Sequence, residues 1–504
     1  MKVILASFER HFWFANLMEL IERWAYYGVR MLLSVYVVSL ASQGGLEFNH
    51  IQKGQIFAGW AIIQSTFPIL IGGYADRLGY KKTISGAIVI KIIGYLLMAT
   101  QRSYLGFFSG CMLLATGTAL FKPAVQGMLV SSLNKNNSSL GWGIFYWLIN
   151  LGGLLGPWLA GYLRLLSWQY VFFGNALIVS LNFIVLLFCP PTISQHNNQQ
   201  TSTSDLKAVF IQTIKEMLKP SLISFLLIYS GFWMMYNQLF DTLPNFIVDW
   251  VDTSPLVASA GRLFNHSPWI QAANQGLQIP SEWIININCA TIILAMIPLS
   301  WVMRRINIFY SMIVGVCLTL IGMFTFGSNH LIWLTIAGIV IFSVGEMGAS
   351  PRMREYLGLI SPSGKAGQYM GYANVPEAIG WGFGSYIAGW WYEVFSDKTS
   401  LAKKYFIEHL GYSGAQVQAI PKGDLLTTLA NQLGISTNAI TALLWNEYHP
   451  EKIWFWFIGI GLLTAIGLVF HYKMVSKHSS NLQQYLAKPD KEPELLESSI
   501  KICE

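Results

Sequence analysis

The sequence predicts an all-α membrane protein with twelve transmembrane helices in two sets of six. Three observations carry that prediction. Hydrophobic side chains make up 53% of the 504 residues and charged ones only 11%, a balance too apolar for a soluble enzyme. The apolar residues arrive in repeated blocks of about 20, the length that crosses the hydrocarbon core. Those blocks are continuous rather than alternating, which makes them helices and not barrel strands.

In chain order, the first six spans are predicted over 11–40, 51–74, 84–101, 105–133, 139–164 and 168–189. The first begins near His11 and runs too long for a cleaved signal peptide, so retention of the N-terminus is expected. A polar stretch from Gln195 to Ser204 lies between Pro190 and Pro220 and marks the natural boundary between the two sets. The second six are predicted over 221–247, 282–303, 308–328, 331–360, 366–394 and 453–475. The expected units are therefore 1–190, a linker at 191–220, a second unit at 221–475 and a tail at 476–504. Long outer loops fall at 248–281 and 396–452. Within the second loop, apolar residues from Asp424 to Leu444 keep helical spacing, so that loop is expected to fold.

Loop charges give the expected orientation. Arg77, Lys81 and Lys82, then Lys207, Lys215 and Lys219, then Arg304 and Arg305, lie on one side, as does the tail from Lys473. By the positive-inside rule that side is cytoplasmic and holds both termini. The same bias accounts for the net charge of +7, so no nucleic acid partner is required. Five cysteines, Cys111, Cys189, Cys289, Cys317 and Cys503, have no paired spacing that implies a disulfide framework or a metal site.

Within the first span, Glu19, Glu22, Arg23, Tyr26 and Arg30 recur at i, i+3, i+4, i+7 and i+11, which places them on one helix face. A charge at the bilayer centre costs roughly 2.5–3.5 kcal/mol, so such a cluster persists only where it faces a cavity or its own partners. A path for protons and substrate fits this stripe; a structural ion pair to a neighbouring helix is the alternative.

Further motifs follow in order. Loop 2–3 reads Gly72-Gly73-Tyr74-Ala75-Asp76-Arg77-Leu78-Gly79-Tyr80-Lys81-Lys82, span 4 carries Gly117-Thr118-Ala119-Leu120-Phe121-Lys122-Pro123, and span 5 carries Phe145-Tyr146-Trp147-Leu148-Ile149-Asn150. Span 10 carries Gly345-Glu346-Met347-Gly348-Ala349-Ser350-Pro351. The loop motif, with Gly73, Asp76, Arg77 and Gly79, resembles that of the major facilitator superfamily. Together with the Glu-x-x-Glu-Arg-aromatic-x-Tyr-Tyr-Gly run of span 1, the set resembles the proton-dependent oligopeptide transporter (POT/PTR) family over roughly residues 10–390.

The resemblance implies a major facilitator fold and a role for each matching residue. Glu19, Glu22 and Arg23 would couple protons, while Tyr26, Tyr27, Arg30 and Asn150 would line the peptide pocket. Lys122 and Glu346 would form an inner gate pair and also touch substrate. Trp233 lies in a span 7 segment similar to the family's Phe-Trp…Gln stretch. Where the family usually has an acid to pair with the second span 1 arginine, this chain has Asn237; Asp241, one turn on, is the alternative partner of Arg30. Asn288 stands about one residue from the family's span 8 asparagine. The position of the family's span 11 pocket tryptophan is Ala373, and Glu377 stands one turn further, either in the cavity or capping a helix break near Pro376. Lys91, Arg352, Arg354 and Glu355 have no family role, and snorkelling or local pairing is expected of them.

The implied function is proton-coupled import of di- and tripeptides across the cytoplasmic (inner) membrane by alternating access, by a monomer. No cofactor is expected; the proton is the coupling ion, and no P-loop pattern calls for ATP. A proton-coupled carrier of an amino acid or peptide-like metabolite, or an exporter, is the same-class alternative. A multi-pass membrane enzyme would need a nucleophile–base or metal constellation, and the sequence offers none.

Overall fold

The computed structural model describes residues 8–133, 137–190, 214–261, 278–303, 305–362 and 366–478. Spans 1–6 are the helices Arg10–Tyr36, His50–Leu78, Tyr80–Thr100, Tyr104–Ser131, Ser138–Leu166 and Trp168–Phe188. Spans 8–10 and 12 end at Met303, Gly327, Leu359 and His478 and begin at Ser281, Ile308, Ile332 and Lys452. Span 7 runs in three pieces, Pro220–Tyr236, Gln238–Asp241 and Leu243–Trp250; span 8 runs in two, Ser281–Ile285 and Ile287–Met303, with Asn286 between them, and span 11 in two, Ala366–Tyr372 and Asn374–Phe395. Most boundaries fall within a few residues of those expected. Span 1 stops at Tyr36 rather than 40, because the chain turns there through a short 3₁₀ segment, Ala41–Gln43.

Among the described residues, eight helices are long and apolar enough to cross a membrane, namely spans 3–6, 8–10 and 12. The other four are spans 1, 2, 7 and 11. Span 1 carries buried charges, span 2 carries Lys53 and an internal Pro68, and spans 7 and 11 are interrupted.

The helices pack as two bundles with the same internal plan. In the first, span 1 packs on 5 and 6, span 4 on 2 and 3, and span 3 on 6. In the second, span 7 packs on 11 and 12, span 10 on 8 and 9, and span 9 on 12. The contacts between bundles obey the same equivalence: span 2 meets span 11, and span 8 meets span 5. This is the pattern of a parallel repeat about an axis along the membrane normal.

The near end is taken as the one where the chain enters span 1 and leaves span 12. At the opposite, far end, the bundles close tightly. A Cβ on Gly389 of span 11 would lie 2.4 Å from the His50 carbonyl oxygen, and one on Gly54 of span 2 would lie 2.7 Å from that of Ser385. Only glycine permits this backbone approach. Over this seam lie the helices Lys398–Glu408, Gly414–Gln418, Leu425–Leu433 and Thr437–Tyr448, so the loop at 396–452 is folded. Trp250 Nε1 donates to the Ser396 carbonyl at 2.8 Å and anchors that group to span 7. At the near end, spans 4 and 5 have no comparable packing with spans 10 and 11 among the described residues. Among the described residues, the bundles are therefore in close contact at the far end and less so at the near end.

Candidate functional site

Span 1 is drawn against span 5 by glycines. A Cβ on Gly152 would meet Arg23 Cβ at 2.7 Å, and one on Gly156 would meet the Gly28 nitrogen at 2.6 Å. That approach turns the charged stripe inward, and Glu19, Glu22, Arg23 and Arg30 are all buried. Arg23 Nε lies 3.0 Å from Glu19 Oε1 and 2.5 Å from Glu22 Oε2. Lys91 of span 3 donates from Nζ to Glu22 Oε1 and is itself fully buried. The expectation of snorkelling or local pairing for Lys91 is therefore corrected. Its partner lies on another span, because a lysine in mid-helix facing the bundle interior cannot reach water. Glu22 is held by two cations, whereas neither oxygen of Glu19 has a hydrogen-bond partner among the described residues. The Arg23 guanidinium carbon also stands 4.8 Å from the Tyr26 ring centroid, and Tyr26 meets Tyr27 edge-to-face at 5.3 Å.

Towards the far end, Arg30 donates to Asp241 Oδ1, so the alternative partner expected from Asn237's substitution is the one in contact. Asp241 Oδ2 accepts from Trp381 Nε1 at 3.2 Å and from Ser385 Oγ of span 11. The Arg30 guanidinium carbon lies 4.6 Å from the Phe57 ring and 4.8 Å from the Trp381 ring. Lys53 donates to the Asp241 carbonyl at 3.0 Å and to Asn245 Oδ1 at 2.7 Å. Ser34 Oγ donates to the Phe240 carbonyl at 2.6 Å, and Arg164 of span 5 bridges both oxygens of Glu282 at 3.0 Å. Charged groups from the two bundles thus complete one another across the far half.

The second bundle supplies the opposite wall. Glu346 accepts from Tyr236 Oη at 2.8 Å and from Asn288 Nδ2 at 2.9 Å, and Asn288 donates at the same distance to Ser343 Oγ. Both carboxyl oxygens are thus met by neutral donors of their own bundle. Trp233 lies edge-to-face with Tyr236 at 5.2 Å, and its indole N–H has no partner among the described residues. Asn150 Nδ2 is turned back to the Tyr146 carbonyl at 2.9 Å. Asn237 Nδ2 is turned back to the Trp233 carbonyl at 2.8 Å, where it sits at the break in span 7.

Two expected arrangements are not formed in this conformation. Lys122 and Glu346 make no ion pair among the described residues: Lys122 belongs to span 4 of the first bundle and Glu346 to span 10 of the second, and these two spans are not packed together. Glu377 makes no side-chain cap at the Ala373 break; its Oε2 lies 3.8 Å from Arg354 Nη2. Arg352 donates to Glu355 Oε2 at 2.6 Å and to the Met303 carbonyl, a local clasp at the near end of span 10. Of the loop motif, Gly73, Asp76 and Arg77 fall in the span 2 helix, but their side chains lie outside the described residues. Gly79 links spans 2 and 3 at φ +85°, a backbone that favours glycine.

Sequence reasoning named Lys91 without its partner and missed Lys53, Tyr236, Trp381 and Ser385. A charge inside an apolar block was the available signal for the two lysines; nothing comparable marks the other three.

Residues 23–385 match the Major Facilitator Superfamily. The chain is 33% identical over 166 residues to the uncharacterized transporter YclF of Bacillus subtilis (strain 168), a match covering 32% of this chain and 33% of that protein. It is 29% identical to the di-/tripeptide transporter of Lactococcus lactis subsp. lactis (strain IL1403), over 31% of each chain. With the multidrug resistance protein MdtH of Blochmanniella pennsylvanica (strain BPEN) it shares 23% identity over 73% of this chain and 82% of that protein. The chain thus spans about a third of the length of the first two relatives. Among solved structures, a peptide transporter POT in complex with sulfate superposes at a TM-score of 0.62, with 15% identity, over 93% of this chain and 94% of that one. The nucleoside transporter NupG gives 0.64 at 12% identity, over 92% and 100%. At these identities the structural likeness speaks for the fold.

Proposed function

Because the chain belongs to the major facilitator superfamily, a group of transporters rather than enzymes, we propose that it is a proton-coupled symporter importing di- and tripeptides by alternating access. The observation that carries this reading is the division of charge between the two walls. The first bundle presents Arg23 and Lys122, and the second presents Glu346 met by neutral donors only. A small zwitterion fits between them, its carboxylate towards the cations and its amine towards Glu346. The span 1 carboxylates supply a place for the proton, and Glu19, without a hydrogen-bond donor, is the less satisfied of the two.

On this reading the protein lies in the cytoplasmic membrane as a monomer with both termini in the cytoplasm, and its near end faces the cytoplasm. One proton crossing 100 mV releases roughly 2.3 kcal/mol, enough for about 50-fold accumulation of a neutral zwitterion. The test is uptake of a dipeptide panel into proteoliposomes with an imposed pH gradient. Accumulation that collapses when the gradient is dissipated is expected.

A second reading, a proton-coupled carrier of another solute, is favoured by the long match to MdtH. Gradient-driven uptake of a nucleoside or efflux of a lipophilic cation, with no dipeptide uptake, would establish it instead.

A further inference from the structure

Lys122, on span 4 of the first bundle, makes no hydrogen bond or ion pair to any described residue. A lysine inside a span is costly without a partner, so a state in which it acquires one is stabilised. Three carboxylates are within its electrostatic reach or expected as partners. Glu19 already lies beside Arg23 on the same bundle, at 3.0 Å. Glu346 has both oxygens taken by Tyr236 and Asn288 of its own bundle. Glu377 has only a loose contact, 3.8 Å to an Arg354 side chain that is 46% exposed. Glu377 and Glu19 both lie near enough to Lys122 to act on its charge.

The position of Glu377 suits a moving element. It lies in the first turn of Asn374–Phe395, one turn beyond the break at Ala373 that divides span 11. Such breaks absorb the rotation when helices re-aim about a fixed site. Closing the near end brings span 4 towards spans 10 and 11, and Glu377 can exchange a loose, water-exposed partner for a buried one. Arg354 remains solvated, so it is not stranded by that exchange.

Resting on the alternating-access reading above, we propose that Glu377 on span 11, and not Glu346 on span 10, is the carboxylate that Lys122 engages to close the near end. Glu346 is then left to the substrate in both states, and the gate and the binding acid are separate groups.

The test is the distance between the near ends of spans 4 and 10, measured by electron–electron resonance in liposomes. Spin labels on ketone-bearing residues introduced at Ser131 and Ser361 avoid the native cysteines. The wild-type chain is expected to show a long and a short population. Glu377→Gln and Lys122→Glu should each lose the short one, Glu346→Gln should keep it, and the exchange Lys122→Glu with Glu377→Lys should restore it. Restoration by the exchange shows that loss in the single variants is not misfolding. A short population that survives Glu377→Gln, or an exchange variant that stays open, overturns the assignment. A wild-type chain with no short population overturns alternating access itself.

Discussion

Glu22 and Lys91 show how little freedom a buried charge has. Lys91 would be stranded without Glu22, while Glu22 without Lys91 would keep only Arg23, and breaking a buried pair by removing one partner costs about 3–5 kcal/mol. Lys91→Met is therefore expected to lower the melting temperature in detergent sharply, and adding Glu22→Gln should recover much of that loss. Simple additivity in this double-mutant cycle would argue that the contact contributes nothing. Glu22→Gln alone should abolish proton-driven uptake while keeping substrate counterflow, since an amide keeps the shape and cannot titrate; full accumulation by that variant would remove Glu22 from coupling. Outside the spans, burial alone would push the Asp397 carboxyl up, but the hydrogen bond and charge of His50, with Lys422 and the Ser400 amide, hold it at about 2. A depressed acid stabilises the folded state above its ordinary value near 3.8, and that contribution is lost as pH falls through about 2. Asp397→Asn should flatten the acid limb of the melting curve between those values, an effect on the order of 2 kcal/mol.

At the level of the element, spans 2 and 11 depend on glycine. A side chain at Gly389 cannot be accommodated by rotamer changes, because the atom it meets is the His50 carbonyl oxygen. Gly389→Val is expected to separate the two spans and open the far end. Reaction of a Ser34→Cys thiol with a membrane-impermeant maleimide should then quicken well beyond that seen with Gly389 intact. An unchanged rate would show that the seam is not what seals this end. The interruptions at Asn237, Asn286 and Ala373 share one character: each is a single residue in right-handed helical geometry, with ψ near −14°, −13° and −22°. They tighten the helix locally without ending it, which lets the halves of a span tilt separately.

Across the whole molecule, buried charges join the two bundles at the far end. Arg164 and Glu282, on spans 5 and 8, belong to the joined end. Arg164→Cys with Glu282→Cys, bridged by a short cleavable thiol cross-linker, should hold the far end shut and stop nearly all uptake. Reductive cleavage should restore it. Uptake that continues through the bridge would mean that transport does not require the far end to open.

The sequence by itself determined the number of spans and which of them are polar, because length and hydropathy are properties of each helix alone. It also marked Glu19, Glu22, Arg23 and Arg30 as one inward face, since a period of 3.6 residues fixes which side chains share a side. Partnership was a different matter. That Lys91 holds Glu22, that Ser385 and Trp381 complete Asp241, and that Lys122 stands apart from Glu346 all depend on distances between helices remote in the chain. Those distances are set by packing of the bundles and by which end is closed, and no local pattern encodes them.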